Sequence, residues 1–189
     1  METQTGTFTD LRDSKIYKTV KIIDQSWMAE NFAFKPDSGE YWVYNDNEGE
    51  VDLYGYLYDW ETAKEICPTG WHLPSDEEWK TLEMNLGMSR SDAKNDEWRG
   101  TSEDILLKST YGWDMGRNGN NVTGFSVLPG GCRQYNGRFL GIGYSAYFWC
   151  STEFDYSDAW YRFFSYDREG ICRRTKGKSH GFSVRYIKG

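Results

Sequence analysis

The chain has 189 residues, a formal net charge of −7 and 17% aromatic residues, with 9 Trp, 14 Tyr and 10 Phe. This length is enough for a substantial core, and we expect a single domain over residues 1–189. The acidic charge argues against nucleic acid as a partner, because nucleic-acid binding needs a basic surface. No apolar run reaches the roughly 18 residues that a transmembrane segment needs, and the start METQTGTFTD lacks the features of a signal peptide.

The first third of the chain carries strand patterns followed by an acidic loop. One run around Phe8 and another over residues 16–22 flank a polar turn, which predicts a β-hairpin. In the next segment, QSWMAENF, we expect the side chains of Trp27 and Met28 to face the core. The acidic stretch from Asn45 resembles a calcium loop only superficially, because its twelfth position is Tyr56 and not Glu. No cofactor is predicted, and a structural calcium ion is not indicated by a motif.

Two segments have clear helix-start signals. Asp59 is placed to cap a short helix in DWETAKEIC, and Ser75 with Glu78 forms a capping box. The second helix is predicted to end at Gly87 and to bury one face at spacing i, i+3, i+7, formed by Trp79, Leu82 and Leu86. SDAKNDEWRG and TSEDILLKST each suggest a further helical turn or two. After Tyr111 the sequence consists of short runs of Gly, Asn and aromatic residues, which indicates short strands and long structured loops. Together with the predicted helices, this predicts an α+β fold.

The sequence contains no recognisable catalytic motif. His72 precedes the capped helix and is interpreted as structural, and no HExxH, GxSxG or P-loop pattern is present. None of the four cysteines lies in a CxxC pair, which argues against a structural zinc site. The sequence allows both disulfides and free thiols. The neighbouring Arg173 and Arg174 could lower the pKa of Cys172. We nevertheless expect a protein that is not an enzyme; an oxidase, a hydrolase or a glycosidase carboxylate pair is the minority hypothesis.

The segment FDYSDAWYRFFSYDREG, residues 154–170, mixes aromatic and small polar residues on both faces of a predicted strand. Such a mixture is typical of protein recognition surfaces, where aromatic rings give contact area and polar groups give hydrogen bonds. The predicted inner stripe consists of Trp160, Phe164 and Tyr166, interrupted by Asp158 and Arg162. The side chains predicted to be exposed and clustered together are Phe154, Tyr161, Phe163, Arg174 and His180.

Several separated motifs occur in the order that one known family shows: TFTDLRDSKIYKTVKIIDQSWMAENF, YGYLYDWETAKEICPTGWHLPSDEEWKTL, GFSVLPGGCR with FLGIGYSAYFWCSTE, and the ending GFSVRYIKG. Together they resemble the Fibrobacter succinogenes major paralogous domain, over nearly the whole chain. The resemblance implies a C-type-lectin-like (formylglycine-generating-enzyme-like) fold with short strands, one or two principal helices and long structured loops. It also implies ligand binding at the surface of bacterial proteins that are secreted or lipid-anchored, and hence an extracellular or cell-surface location.

Two departures from the family pattern stand out. Many members carry Cys where this chain has Tyr186, so a disulfide that anchors the last strand is not expected here. The formylglycine-generating relatives use a reactive cysteine pair, whereas Cys132 and Cys150 lie in other motifs. That activity is therefore not transferred to this chain.

A narrower similarity is to the variable proteins of diversity-generating retroelements, from bacteria or phages, in which adenine-directed mutagenesis changes residues near the C-terminus. It implies a variable ligand-binding region, residues 150–181, that is divided into fixed and diversified positions. The fixed positions would be Ala159, Trp160, Arg162, Phe164, Tyr166, Ile171, Arg173 and Lys178. The predicted ligand-binding residues are Phe154, Asp155, Tyr156, Ser157, Asp158, Tyr161, Phe163, Ser165, Asp167, Arg168, Cys172, Arg174, Thr175, Ser179 and His180.

Two binding hypotheses follow. In the first, the diversified surface binds a protein or another cell-surface ligand. In the second, an undiversified adhesion module binds a glycan by stacking exposed aromatic rings on sugars.

Overall fold

The computed structural model describes residues 3–189, which form a mixed α+β fold with two main sheets. The first sheet has the strand order β1-β2-β3-β13-β6. Its strands are β1 Thr3–Thr9, β2 Ile16–Ile22, β3 Gln25–Met28, β6 Trp71–His72 and β13 Ile187–Lys188. The predicted hairpin is confirmed, because β1 and β2 pair antiparallel with Phe8 opposite Tyr17. Trp27 and Met28 are fully buried, as predicted.

The second sheet has the order β7-β12-β11-β10-β8-β9 and contains the aromatic segment. Its strands are β7 Glu97–Arg99, β8 Gly130–Arg133, β9 Phe139–Ile142, β10 Ser145–Glu153, β11 Asp158–Ser165 and β12 Ile171–Gly177. A further two-stranded ladder pairs β4 Tyr41–Trp42 with β5 Leu57–Tyr58. All pairings in the second sheet are antiparallel except β8 with β10.

Among the described residues, five short α-helices connect the strands: α1 Val51–Tyr54, α2 Trp60–Glu65, α3 Asp76–Asn85, α4 Arg90–Lys94 and α5 Glu103–Leu107. The predicted caps are confirmed. The side chain of Asp59 accepts a hydrogen bond from the Thr62 N–H, and Ser75 and Glu78 form the complete capping box. Gly87 follows α3 with φ of +117°, a backbone conformation that glycine adopts without strain.

The acidic stretch after Val43 folds into 3₁₀ turns over residues 44–46 and 48–50 and then into α1. Within residues 3–189, no group of three or more His, Cys, Asp or Glu side chains is arranged to hold a metal ion. Over the same residues, no helix combines the length and the apolar character that a bilayer crossing requires.

Two hydrophobic clusters form the core. One lies between α3 and the second sheet and includes Trp79, Leu82, Leu86 and Phe148, so the predicted buried face of α3 is confirmed. The other lies on the opposite side of that sheet and includes Trp149 and many aromatic rings. Because both sides of the sheet contact core residues, burial of an aromatic residue on β10 or β11 does not depend only on the face to which it points.

Candidate ligand-binding face

Side chains of β10, β11 and β12 alternate between two faces of the second sheet, as in any extended strand. Phe148, Arg162 and Arg173 are cross-strand partners on the face that packs on α3. Tyr147, Phe163, Cys172 and Trp98 are cross-strand partners on the opposite face. We call this opposite face, over strands β7, β12, β11 and β10, the open face.

The face toward α3 is held by a network of buried charges. The Arg162 guanidinium binds Asp76 Oδ1 at 2.8 Å and Glu83 Oε1 at 2.6 Å. Arg173 binds both Asp76 oxygens at 2.8 Å, and Arg99 binds Glu83 at 2.7 Å. Charge-assisted, two-pronged contacts of this kind fix both distance and orientation. The network therefore fixes β11 and β12 against α3.

The electrostatics of Asp76 follow from this network. Burial alone would raise the pKa of its carboxyl group, but the hydrogen bond from Arg173 and the charges of Arg162 and Lys80 hold the pKa well below its usual range. Arg173 also lies over the ring of Trp160, with 3.5 Å from its guanidinium carbon to the ring centroid. Such a cation–π contact adds to the positioning of this strand pair.

In the sequence, Arg162 interrupts the apolar stripe but is one of the proposed fixed positions, and Asp76 is explained by helix capping. The structure agrees with a fixed Arg162, which is fully buried as the partner of Asp76 and Glu83, whereas capping explains Asp76 only in part. A signal was present: Asp76 and Glu83 are seven residues apart on the helix face that carries Trp79. Two acids on an apolar helix face indicate buried cations on the opposing element.

The open face carries a row of aromatic rings. The rings of Tyr147 and Phe163 are stacked with centroids 4.7 Å apart, and Trp98 lies 5.2 Å from Phe163. Cys172, the small residue between them in the ladder, is fully buried beneath this row. Tyr147, Phe163 and Trp98 are each half-buried, so their rings remain accessible to a ligand.

The prediction that Tyr161 is exposed is wrong. Its side chain is only 6% exposed because its ring packs against Phe182 at 5.0 Å and near Trp149 and Tyr147. Phe182 belongs to a segment that runs beside β10 and covers that part of the face. Burial also raises the pKa of the Tyr161 hydroxyl. Tyr161 therefore packs beside the rings of the open face and is covered by Phe182.

Four residues connect β10 to β11 and form the most exposed part of the site: Phe154, Asp155, Tyr156 and Ser157, which we call the tip loop. Phe154 is 57% exposed, as predicted, and Tyr156 is 97% exposed. The edge of the Phe154 ring contacts Trp160, with centroids 5.4 Å apart. The tip loop thus presents two large aromatic side chains to solvent.

Hydrogen bonds fix the conformation of the tip loop. Asp155 Oδ1 accepts from the N–H groups of Ser157 and Asp158, each at 2.8 Å, and these bonds lower the pKa of the carboxyl group. Lys178 Nζ donates to the carbonyl of Tyr156 at 2.8 Å and forms an ion pair with Glu153. A loop that is ordered before binding loses less conformational entropy when a ligand arrives.

A groove of about 310 Å³ lies beside the tip loop, along the outer edge of β12. We call it the edge groove; its lining consists of Asp96, Glu97, Phe154, Trp160, Tyr161, Arg174, Thr175 and Lys176. Arg174 is half-exposed and pairs with Glu97, which raises the pKa of the guanidinium. The edge groove therefore combines aromatic walls with charges of both signs.

The structure brings together only part of the predicted site. Residues 154–158 and 174–175 lie at one end of the sheet, beside Ser179, which is exposed. The turn with Asp167 and Arg168 is exposed but lies at the other end of the eight-residue strand β11, roughly 25 Å away. These two residues do not share a surface with the tip loop.

Three further predicted ligand-binding residues are buried. Ser165 is 6% exposed and its hydroxyl donates to Asp167. His180 is also 6% exposed, because its Nδ1 hydrogen-bonds the Gly177 carbonyl and its ring packs near Phe182; burial lowers its pKa. Cys172 is fully buried. The predicted cluster of His180 with Phe154, Tyr161 and Phe163 is therefore wrong.

All four cysteines are free thiols. Burial raises the pKa of Cys172 to about 11, against the expectation that Arg173 and Arg174 would lower it. Burial likewise raises the pKa of Cys132 to about 11 and that of Cys150 to about 12. These thiols are protonated at neutral pH and enclosed, so they lack the features of reactive cysteines.

The fold and the site define a mixed α+β protein with an aromatic surface at one end of an antiparallel sheet. The chain belongs to the Fibrobacter succinogenes major domain family, whose model matches residues 20–188. A comparison with curated proteins and one with solved structures gave no significant match.

Proposed function

We propose that this protein is a non-enzymatic ligand-binding protein with a C-type-lectin-like fold, located outside the cell or on its surface. Its recognition surface consists of the tip loop, the edge groove and the open face. The ligand is a protein or another cell-surface molecule. The surface is diversified in sequence by a retroelement, with the fold held constant beneath it.

The observation that carries this proposal is the burial of the positions proposed as fixed. All eight positions proposed as fixed are buried or half-buried, and Arg162 and Arg173 belong to the buried charge network. Every exposed residue between 154 and 180 lies outside that fixed set. Diversification of the exposed positions would therefore change the surface that a ligand contacts without disturbing the residues that hold the sheet. Four positions of the proposed diversified set are buried and fall outside that surface: Tyr161, Ser165, Cys172 and His180.

The chemistry of the thiols argues against one class of enzyme, a cysteine-dependent oxidase or hydrolase. An oxidase or a hydrolase with a cysteine nucleophile needs an accessible thiolate, whereas Cys132, Cys150 and Cys172 are buried with raised pKa values. Turnover of a substrate that depends on one of these cysteines would contradict the proposal.

Binding is tested with the full chain on arrays of purified bacterial surface proteins and glycans. The decisive variant is F154A/Y156A, which truncates the two exposed tip-loop rings. Its matched control is L11A/M115A, which truncates two equally exposed apolar residues elsewhere on the surface. Loss of the array signals in the first variant and not in the second supports the proposal, and equal signals from both variants refute the tip loop as a binding element.

The retroelement is tested on the coding DNA. We expect an imperfect repeat of the codons for residues 150–181 near a reverse transcriptase gene, with differences only at adenines of the template. Differences at other bases, or no repeat at all, would remove diversification from the proposal and leave ligand binding to be judged by the arrays.

A glycan-binding module is the second candidate, and the aromatic row favours it. Trp98 is a half-buried ring at the edge of the open face, tilted against Phe163, and a sugar ring can stack on it. The Tyr147 ring is itself stacked on Phe163 and Phe182. A specific glycan signal that W98A abolishes, with protein signals absent, would promote this function over protein binding.

A further inference from the structure

We infer that the edge groove binds an extended polypeptide segment by strand addition to β12, an inference that rests on the proposed binding function and names its partner class. The first observation is that β12 extends beyond its neighbour. The pairing of β12 with β7 stops at Arg173 opposite Glu97, whereas β12 continues to Gly177. Residues 174–177 therefore form a free sheet edge.

The direction of the backbone groups at this edge follows from one hydrogen bond. Lys178 N–H donates to the Ser157 carbonyl at 3.0 Å, toward β11. In an antiparallel ladder, alternate residues direct both backbone groups to the same neighbour. The backbone N–H and C=O groups of Arg174 and Lys176 are therefore directed toward β11, and those of Thr175 are directed away from it. Within residues 3–189, no group bonds to the outward N–H and C=O of Thr175.

The side chains around Thr175 specify the partner. Trp160 is the cross-strand neighbour of Thr175, so a residue added opposite Thr175 would lie beside Trp160 and Phe154 in the edge groove. An apolar side chain suits that position. The residues on either side of it would lie opposite Arg174, which already pairs with Glu97, and opposite Lys176, where a carboxylate is favoured. The matching segment is extended, with an apolar residue opposite Thr175 and an acidic residue next to it, opposite Lys176.

The same charges disfavour a second copy of this chain as the partner strand. Antiparallel pairing of two β12 strands centred on Thr175 would place Arg174 of one copy opposite Lys176 of the other. Like charges directly opposite each other destabilise a strand pair. Basic side chains at an edge are a known protection against self-pairing, and they leave an acidic segment as the complement.

The inference is tested by selecting linear dodecapeptides from a random phage-displayed library on the full chain and synthesising the enriched peptides. We expect enriched sequences that place an acidic residue next to an apolar residue. T175P removes the outward N–H, whereas the matched control T175V keeps it and retains a β-branched side chain. We expect T175P to weaken peptide binding tenfold or more and T175V to bind within about twofold of the unmodified chain.

A second measurement does not depend on how well T175P folds. Amide hydrogen exchange at Thr175 in the unmodified chain should slow at least tenfold when a selected peptide saturates it. An unchanged exchange rate at Thr175, or a selection that enriches no peptide, overturns strand addition. If selected peptides bind T175P normally but lose binding to F154A/Y156A, strand addition fails while the proposed function stands. If neither variant affects binding, both fail.

Discussion

Replacing Asp76 by Asn should destabilise the fold strongly, because it removes the carboxylate that joins Arg162, Arg173 and Lys80. The Asp76 side chain is 5% exposed, and breaking a buried pair of this kind costs about 3–5 kcal/mol. Asn has nearly the same shape as Asp, and Glu83 still pairs with Arg162. We therefore expect a loss of unfolding free energy at the low end of this range, about 3 kcal/mol. For a chain of this size that corresponds to a lowering of Tm by roughly 6–12 °C.

The assay is urea unfolding followed by tryptophan fluorescence, with E77Q as the matched control. Glu77 lies in the same first turn of α3 and also pairs with Lys80, but its side chain is 81% exposed. An exposed pair contributes less than about 1 kcal/mol, so E77Q should change the free energy of unfolding little. A loss of less than 1 kcal/mol in the Asp76 variant would refute the inferred role of the network.

The pH dependence gives a second readout of the same substitution. Because the folded-state pKa of Asp76 is depressed, its contribution is present above the unfolded-state pKa near 4 and is lost as pH falls below that value. The difference in unfolding free energy between the unmodified chain and D76N should therefore be full at pH 7 and shrink below pH 4. A difference that stays constant down to pH 2 would contradict this assignment.

Three further predictions concern the recognition surface and the thiols. Y161A should destabilise the fold by about 3–5 kcal/mol because its ring is buried, whereas F154A should stay within about 0.5 kcal/mol of the unmodified chain in urea unfolding. K178M should leave stability nearly unchanged but speed amide hydrogen exchange in the tip loop, because Lys178 hydrogen-bonds the Tyr156 carbonyl of that loop. Unaltered exchange would show that other contacts hold the loop. Iodoacetamide at pH 8 should leave Cys150 and Cys172 unmodified in the folded chain and alkylate both in urea, because burial encloses them and raises their pKa values; mass spectrometry identifies the modified peptides.

The sequence predicted the local elements well because their signals are local. The capping box at Ser75, the apolar face of α3 and the N-terminal hairpin each depend on residues within one short segment. The tip-loop residue Phe154 was predicted to be exposed, and it is. These features need no knowledge of what the element packs against.

Burial on the second sheet was harder to predict because it depends on distant segments. Tyr161 and Phe163 point to the same face. Phe182, about twenty residues later in the chain than Tyr161, covers the Tyr161 ring more than the Phe163 ring. Arg162 is buried because α3 supplies acids to meet it. Strand periodicity separates the two faces of a sheet, but it does not indicate which part of each face another segment covers.

The buried charge network has a consequence for engineering. A one-residue slip of β11 would turn Arg162 away from Asp76 and Glu83 and leave those buried carboxylates without this partner. The charge network therefore strongly favours the observed register of this strand. The register is thus set independently of the residues on the tip loop and along the edge groove. We expect a combinatorial library randomised at Phe154, Asp155, Tyr156, Ser157 and Arg174 to yield mostly folded clones, which makes this chain a candidate frame for artificial binders.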